Sequence, residues 1–250
     1  MNNLFFLTIA GLLSGILGTG GGGVTVLLIN KIWDDIMGFL LGFSGGIMTA
    51  IIFLELIPEA REAGSLTSTL LGLLLGAALI AFLDINFPHQ HLSLELDISS
   101  ENKHYYKSGI LLSMGVALHN IPEGIAIGAG FIASPSIGIS LAILIGLHNI
   151  PEGMAIATAL GLAELNKFKI IIITALAGVP IGAGALIGGL MGGISELFLS
   201  IALGFAGGAM MYIVYDDLIP DCHKSTRGHT AIIGIINGII LGMILIEVLH

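Results

Sequence analysis

The chain has 250 residues, of which 55% are hydrophobic and 10% charged, with a mean hydropathy of +1.02 and a formal net charge of −9 at pH 7. Soluble domains carry about a quarter charged residues, so this composition excludes one; it predicts an all-α polytopic membrane protein, with apolar runs long enough to span a bilayer. The single cysteine, Cys222, excludes an intramolecular disulfide and a Cys-rich metal site.

Eight spans are predicted, at roughly 3–29, 36–57, 66–86, 108–131, 137–161, 169–192, 197–219 and 230–249. The first begins Met1-Asn2-Asn3 without the basic residues of a signal peptide and reads as a retained helix. Its Gly18–Gly23 run, broken only by Thr19, lacks the Lys-Ser/Thr of a phosphate loop, so close packing or a hinge explains it better. The second span carries Gly42-Phe43-Ser44-Gly45-Gly46-Ile47-Met48 and then Glu55-Leu56-Ile57-Pro58-Glu59. The third ends near Asp84, and the following linker holds His89, His91 and His104, a short His-rich tract able to bind metal. Spans four and five each contain His-Asn-Ile-Pro-Glu-Gly, at 119–124 and 148–153. The sixth contains Ala177-Gly178-Val179-Pro180. In the seventh, Gly204-Phe205-Ala206-Gly207-Gly208-Ala209-Met210 precedes Asp217-Leu218-Ile219-Pro220-Asp221. Glu247 near the end of the eighth is read as interfacial. The 37 glycines suit close helix packing in a membrane.

With the N-terminus outside, the inner loops hold Lys31, Lys103, Lys107, Lys167, Lys169, Lys224 and Arg227, and the outer side holds Arg61 alone. The positive-inside rule therefore puts both termini outside the cytoplasm. Spans two and seven match at a constant offset of 162 residues, and five spans apart they cross in opposite senses. Spans four and five are opposed too. The expected plan is three helices, a central pair and three helices with inverted symmetry, an architecture of secondary transporters, in one transmembrane domain over 1–250.

Polar groups in hydrocarbon cost free energy, so the duplicated hexapeptide marks a functional site. His119 and Glu123 share a helix face, Asn120 and Glu123 the neighbouring stripe, and His148, Asn149 and Glu152 repeat the pattern. Facing each other, the helices pool imidazole, carboxylate and amide oxygen, a ligand set for a first-row divalent ion. Pro122 and Pro151 free the carbonyls of Leu118 and Leu147 beside these ligands. The plain alternative is two kinked helices that hydrogen-bond across a dry interface. Glu55, Glu59, Asp217 and Asp221 are either stepping stones of a transport pathway or carboxylates reaching headgroup water. Asp216 is read in the same two ways, and His89 and His91 are candidates to receive ions on the cytoplasmic side.

The doubled hexapeptide, the eight-helix plan and the Glu-Leu-Ile-Pro-Glu turn resemble the ZIP family of divalent-metal transporters, in its short bacterial form. The resemblance covers essentially the whole chain. It implies a two-ion site between helices four and five and transport of Zn²⁺, with Fe²⁺, Mn²⁺, Co²⁺ and Cd²⁺ as further candidates. His119, Glu123, Glu152 and His148 match the first ion's ligands, and Met48 stands where some relatives add a thioether. Asn120 and Asn149, with the two shared glutamates, match the second. The family also implies metal entry into the cytoplasm and an elevator-like motion of one bundle against another. One departure is Val179, which stands where relatives often have a glutamate before the helix-six proline, weakening or removing the second ion's site.

Other functions fit less well. An intramembrane metalloenzyme would need an open coordination position and a general base, and the chain has no His-Glu-x-x-His. A metal-selective channel could use the same cage, whereas a sensor would need a regulatory domain. The chain has no nucleotide-binding motif; the expected partners are the metal substrate and the bilayer of the cytoplasmic (inner) membrane, with no nucleic acid and no organic cofactor. A homodimer is left open.

Overall fold

The computed structural model describes residues 2–29, 34–86, 100–225 and 229–249. His89 and His91 lie outside the described residues. Among the described residues there are helices and no strand. Eight helical stretches are long and apolar enough to cross a membrane, from Leu4–Ile29 to Thr230–Leu249.

The first span is α1 (Asn2–Ile29). The second is α2 (Asp34–Ile51), a π-helical turn at Ile52–Leu56, and α3 (Ile57–Ala63), which Pro58 starts where no backbone donor is needed. The third is α4 (Leu66–Asn86). Then come α5 (Ser100–Ala133) and α6 (Pro135–Leu162), joined through the extended residue Ser134. The sixth span divides at Val179 into α7 (Lys167–Gly178), capped by Asn166 Oδ1 accepting from the Phe168 amide, and α8 (Pro180–Gly192). The seventh repeats the form of the second: α9 (Glu196–Ile213), a π-helical turn at Val214–Leu218, and α10 (Ile219–Ser225). The eighth is α11 (Thr230–Leu249). Several helices outrun their predicted spans: α5 starts at Ser100 rather than 108, and the second span continues through Pro58 to Ala63. Polar residues end an apolar window without ending a helix.

The helices pack as two groups. In one, α1 lies on α6, α7 and α8, and α5 lies on α6 and α8; in the other, α2 lies on α11 and α4 on α9. Contacts inside each group are made by glycine against bare backbone. A methyl group at Gly22 would strike the Ile150 carbonyl on α6, and one at Gly184 the Ile121 carbonyl on α5. Helices approach this closely where side chains are absent.

The 162-residue offset reappears in these contacts. Gly46 meets the Ile235 carbonyl and Gly208 the Leu73 carbonyl; Gly76 meets that of Phe205 and Gly238 that of Phe43. The two π-helical turns are separated by the same offset. It extends to α1 and α8, since Gly153 packs on Thr19 and Gly124 on Ile181. The repeat of spans two and seven is thus matched by their contacts with spans eight and three, and one contact each on α1 and α8 shows the same offset.

A candidate metal site between α5 and α6

Pro122 and Pro151 sit inside α5 and α6, yet both helices run through them. Each proline forfeits one hydrogen bond in the turn that carries its motif. Asn120, Glu123, His148 and Asn149 are completely buried and Glu152 is 5% exposed. Glu123, His148 and Glu152 bring ligand atoms within 4.8 Å of one another, the one such group among the described residues. Zinc–ligand bonds of about 2.0–2.2 Å imply ligand pairs about 3.3–3.6 Å apart, so modest closure would complete a coordination shell.

The hydrogen bonds show what a cation would displace. His148 Nε2 lies 3.0 Å from Glu123 Oε1, and Asn149 Nδ2 donates to Glu123 Oε2 over 3.1 Å. His148 Nδ1 lies 3.2 Å from the Leu144 carbonyl oxygen. Both ring nitrogens thus face oxygens. A proton must lie between Nε2 and Glu123, and a metal ion taking Nε2 has to release it. Asn120 Nδ2 donates to the Ala177 carbonyl over 2.7 Å, tying α5 to the break in span six.

Among the described residues, four buried side-chain oxygens have no hydrogen-bond partner: Asn120 Oδ1, Asn149 Oδ1, Glu152 Oε2 and, on α1, Thr19 Oγ1. An unsatisfied buried polar atom costs about 1–3 kcal/mol. Three of the four belong to the hexapeptides, and all are acceptors. The residues present therefore fit a bound cation: each oxygen that costs stability without one becomes a ligand with one.

Not every expected residue joins this group. His119 turns toward span seven, its Nε2 3.4 Å from Asp217 Oδ2. With Asp84 and Tyr212 the pair lines a cavity of about 20 Å³, room for a single water. Met48 is fully buried on α2, one turn beyond Ser44, whose hydroxyl donates to the His148 carbonyl over 2.8 Å. Glu55, on the π-helical turn of span two, is buried and accepts from Ser140 Oγ at 3.4 Å. Its repeat mate Asp217 has a side chain 37% exposed. Glu59 is half-buried on α3, and Asp221 is exposed and paired with Lys224 at 2.9 Å. Val179 is 37% exposed, whereas Ile181 just beyond it is fully buried. Asp84, Tyr212 and Ser140 were not among the expected site residues. A carboxylate late in an apolar span was the available signal for Asp84, and nothing local marked the other two.

Residues 88–250 match the family profile described as ZIP Zinc transporter. The chain is 32% identical to the zinc transporter ZupT of Chlorobium chlorochromatii, across 96% of each chain. It is 35% identical to ZupT of Corynebacterium glutamicum, across 89% of this chain and 91% of that one. It is 30% identical to the zinc transporter GufA of Myxococcus xanthus, across 95% of this chain and 96% of the relative.

Proposed function

Because the chain belongs to the ZIP zinc transporter family, we propose that it carries divalent transition-metal ions, zinc first among them, into the cytoplasm through a site between α5 and α6. The observation that carries this reading is the convergence of Glu123, His148 and Glu152 beside three unsatisfied buried oxygens. Fe²⁺, Mn²⁺, Co²⁺ and Cd²⁺ are further substrates that a mixed nitrogen and oxygen ligand set accepts.

The direction follows from charge and from the difference between the two repeats. The cation count supports a cytoplasmic location for the end of α4. The small cavity lined by Asp84, His119 and Asp217 lies toward that end, while Glu55 toward the opposite side is buried against Ser140. On this reading the protein is closed outward, and its inward path runs past Asp217 and His119. Asp217 and His119 receive the ion as it leaves Glu123 and Glu152.

The two helix groups supply the motion. The metal cluster lies wholly within the group of α1, α5, α6, α7 and α8, whose members touch backbone to backbone. Across the seam, Ser44 meets α6 and Asp217 meets α5 through side chains. The first group slides as a unit and the ligands travel with it, in the three–two–three inverted plan that secondary transporters use.

Zinc flux into proteoliposomes holding the purified protein tests this reading, with Fe²⁺, Mn²⁺ and Cd²⁺ as competitors. Saturable flux that falls to background in Glu123→Ala and Glu152→Ala is expected. Wild-type flux in either variant would exclude this site.

A further inference from the structure

Thr19 breaks the glycine run of α1 and carries the one unsatisfied buried oxygen outside the hexapeptides, among the described residues. Threonines inside helices usually satisfy themselves by bonding the carbonyl four residues back. The hydroxyls of Thr8, Thr25, Thr49, Thr69, Thr158 and Thr174 all do so in this protein. Thr19 does not, although it is completely buried. Its four-back carbonyl, that of Gly15, is the atom against which Gly178 packs.

The neighbours of Thr19 on the helix fix where it faces. Gly18 and Gly22 meet α6, Gly18 at the Asn149 side chain and Gly22 at Ile150 and Gly153. Gly15 and Gly23 meet α7, at Gly178 and Thr174. With 3.6 residues per turn, position 19 lies one turn from both Gly15 and Gly23 and shares their α7-facing side, while α6 meets its backbone, so it stands where α6 and α7 come together. Its backbone lies on Gly153, the residue after Glu152 and one turn from Asn149. Across that seam, Asn120 bonds the Ala177 carbonyl at the end of α7. The level of Thr19 on α1 is therefore the level of both asparagines and of Glu152.

We infer that the Thr19 hydroxyl is an oxygen ligand of the transported cation, completing an all-oxygen subsite with Asn120 Oδ1, Asn149 Oδ1 and Glu152 Oε2. The inference rests on the central site proposed above. It divides that site by chemistry: His148 gives one side nitrogen character, and the Thr19 side offers oxygen alone, which favours harder ions. It also changes the account of span six, where a carboxylate at position 179 would start from a partly exposed backbone position rather than a buried one. The fourth oxygen comes from α1 instead.

The test is calorimetric titration of the purified full-length protein with Zn²⁺ and, separately, Mn²⁺. Thr19→Val keeps the shape and removes the hydroxyl; Thr19→Ser keeps the hydroxyl. Thr19→Val is expected to weaken binding roughly tenfold, more for Mn²⁺ than for Zn²⁺, and Thr19→Ser to restore it. Metal-free thermal stability should be unchanged or raised in Thr19→Val, because an unsatisfied polar atom has been removed. Wild-type affinity for both ions in Thr19→Val, with binding lost in Glu152→Ala, overturns the role of Thr19 and leaves the central site standing. Binding unchanged in both variants overturns the two together.

Discussion

His119 and His148 occupy the same position in two identical motifs and meet different neighbours. His148 is wholly buried against Glu123, while His119 looks out on Asp217 and a small cavity. The two alanine variants should therefore separate binding from release. His148→Ala is expected to weaken Zn²⁺ binding by about 10–100-fold. His119→Ala should bind zinc nearly as tightly as wild type and transport it more slowly. Titration and flux on the same preparations check this, and equal loss of affinity in both would contradict it. The proton shared by His148 and Glu123 adds a second expectation at this scale: zinc affinity rises with pH, because each ion bound releases a proton. Titration in buffers of different ionisation heat measures that release. The hexapeptides stood out in the sequence because ionisable groups in a long apolar run are costly. The divergence of the two histidines did not, since helical spacing groups His119 with Glu123 and says nothing of which neighbour the ring meets.

Helix ends and helix faces were read less well than helix positions. All eight spans could be placed from hydropathy, but the π-helical turns at Ile52–Leu56 and Val214–Leu218 leave no mark in an apolar pattern. They matter, because a π turn inserts one residue and re-aims what it carries, here Glu55 and Asp217. The glycine run of α1 was read as close packing or a hinge, and the structure shows packing partners: Gly18 and Gly22 against α6, Gly23 against α7. Repeat symmetry makes the packing testable. Gly46→Leu and Gly208→Leu, which face equivalent carbonyls, should each destabilise the fold by at least about 1–3 kcal/mol. Gly161→Ala, with open space around it, should be neutral or stabilising by up to about 1 kcal/mol. Thermal unfolding in detergent distinguishes these, and tolerance at Gly46 or Gly208 would refute the close approach.

For the molecule as a whole, the two halves share contacts and differ in access. Glu55 is buried and Asp217 is open although the repeat makes them equivalent. The two-state carrier proposed above would account for such a pair, each state burying one carboxylate and exposing the other. In a Cys222→Ser background, Asp217→Cys should react with a membrane-impermeant thiol reagent applied from the cytoplasmic side, and Glu55→Cys should be protected from both sides. The repeat in spans two and seven was legible in sequence from its constant offset of 162 residues. The plan expected from that repeat takes in spans one and six too, where the matched features are backbone contacts rather than matching residues.

The most direct measurement is anomalous diffraction at the zinc edge from crystals grown with Zn²⁺. The account predicts a peak between α5 and α6, within coordination distance of Glu123, His148 and Glu152. A peak confined to the surface, with those three side chains still hydrogen-bonded to one another, would contradict it.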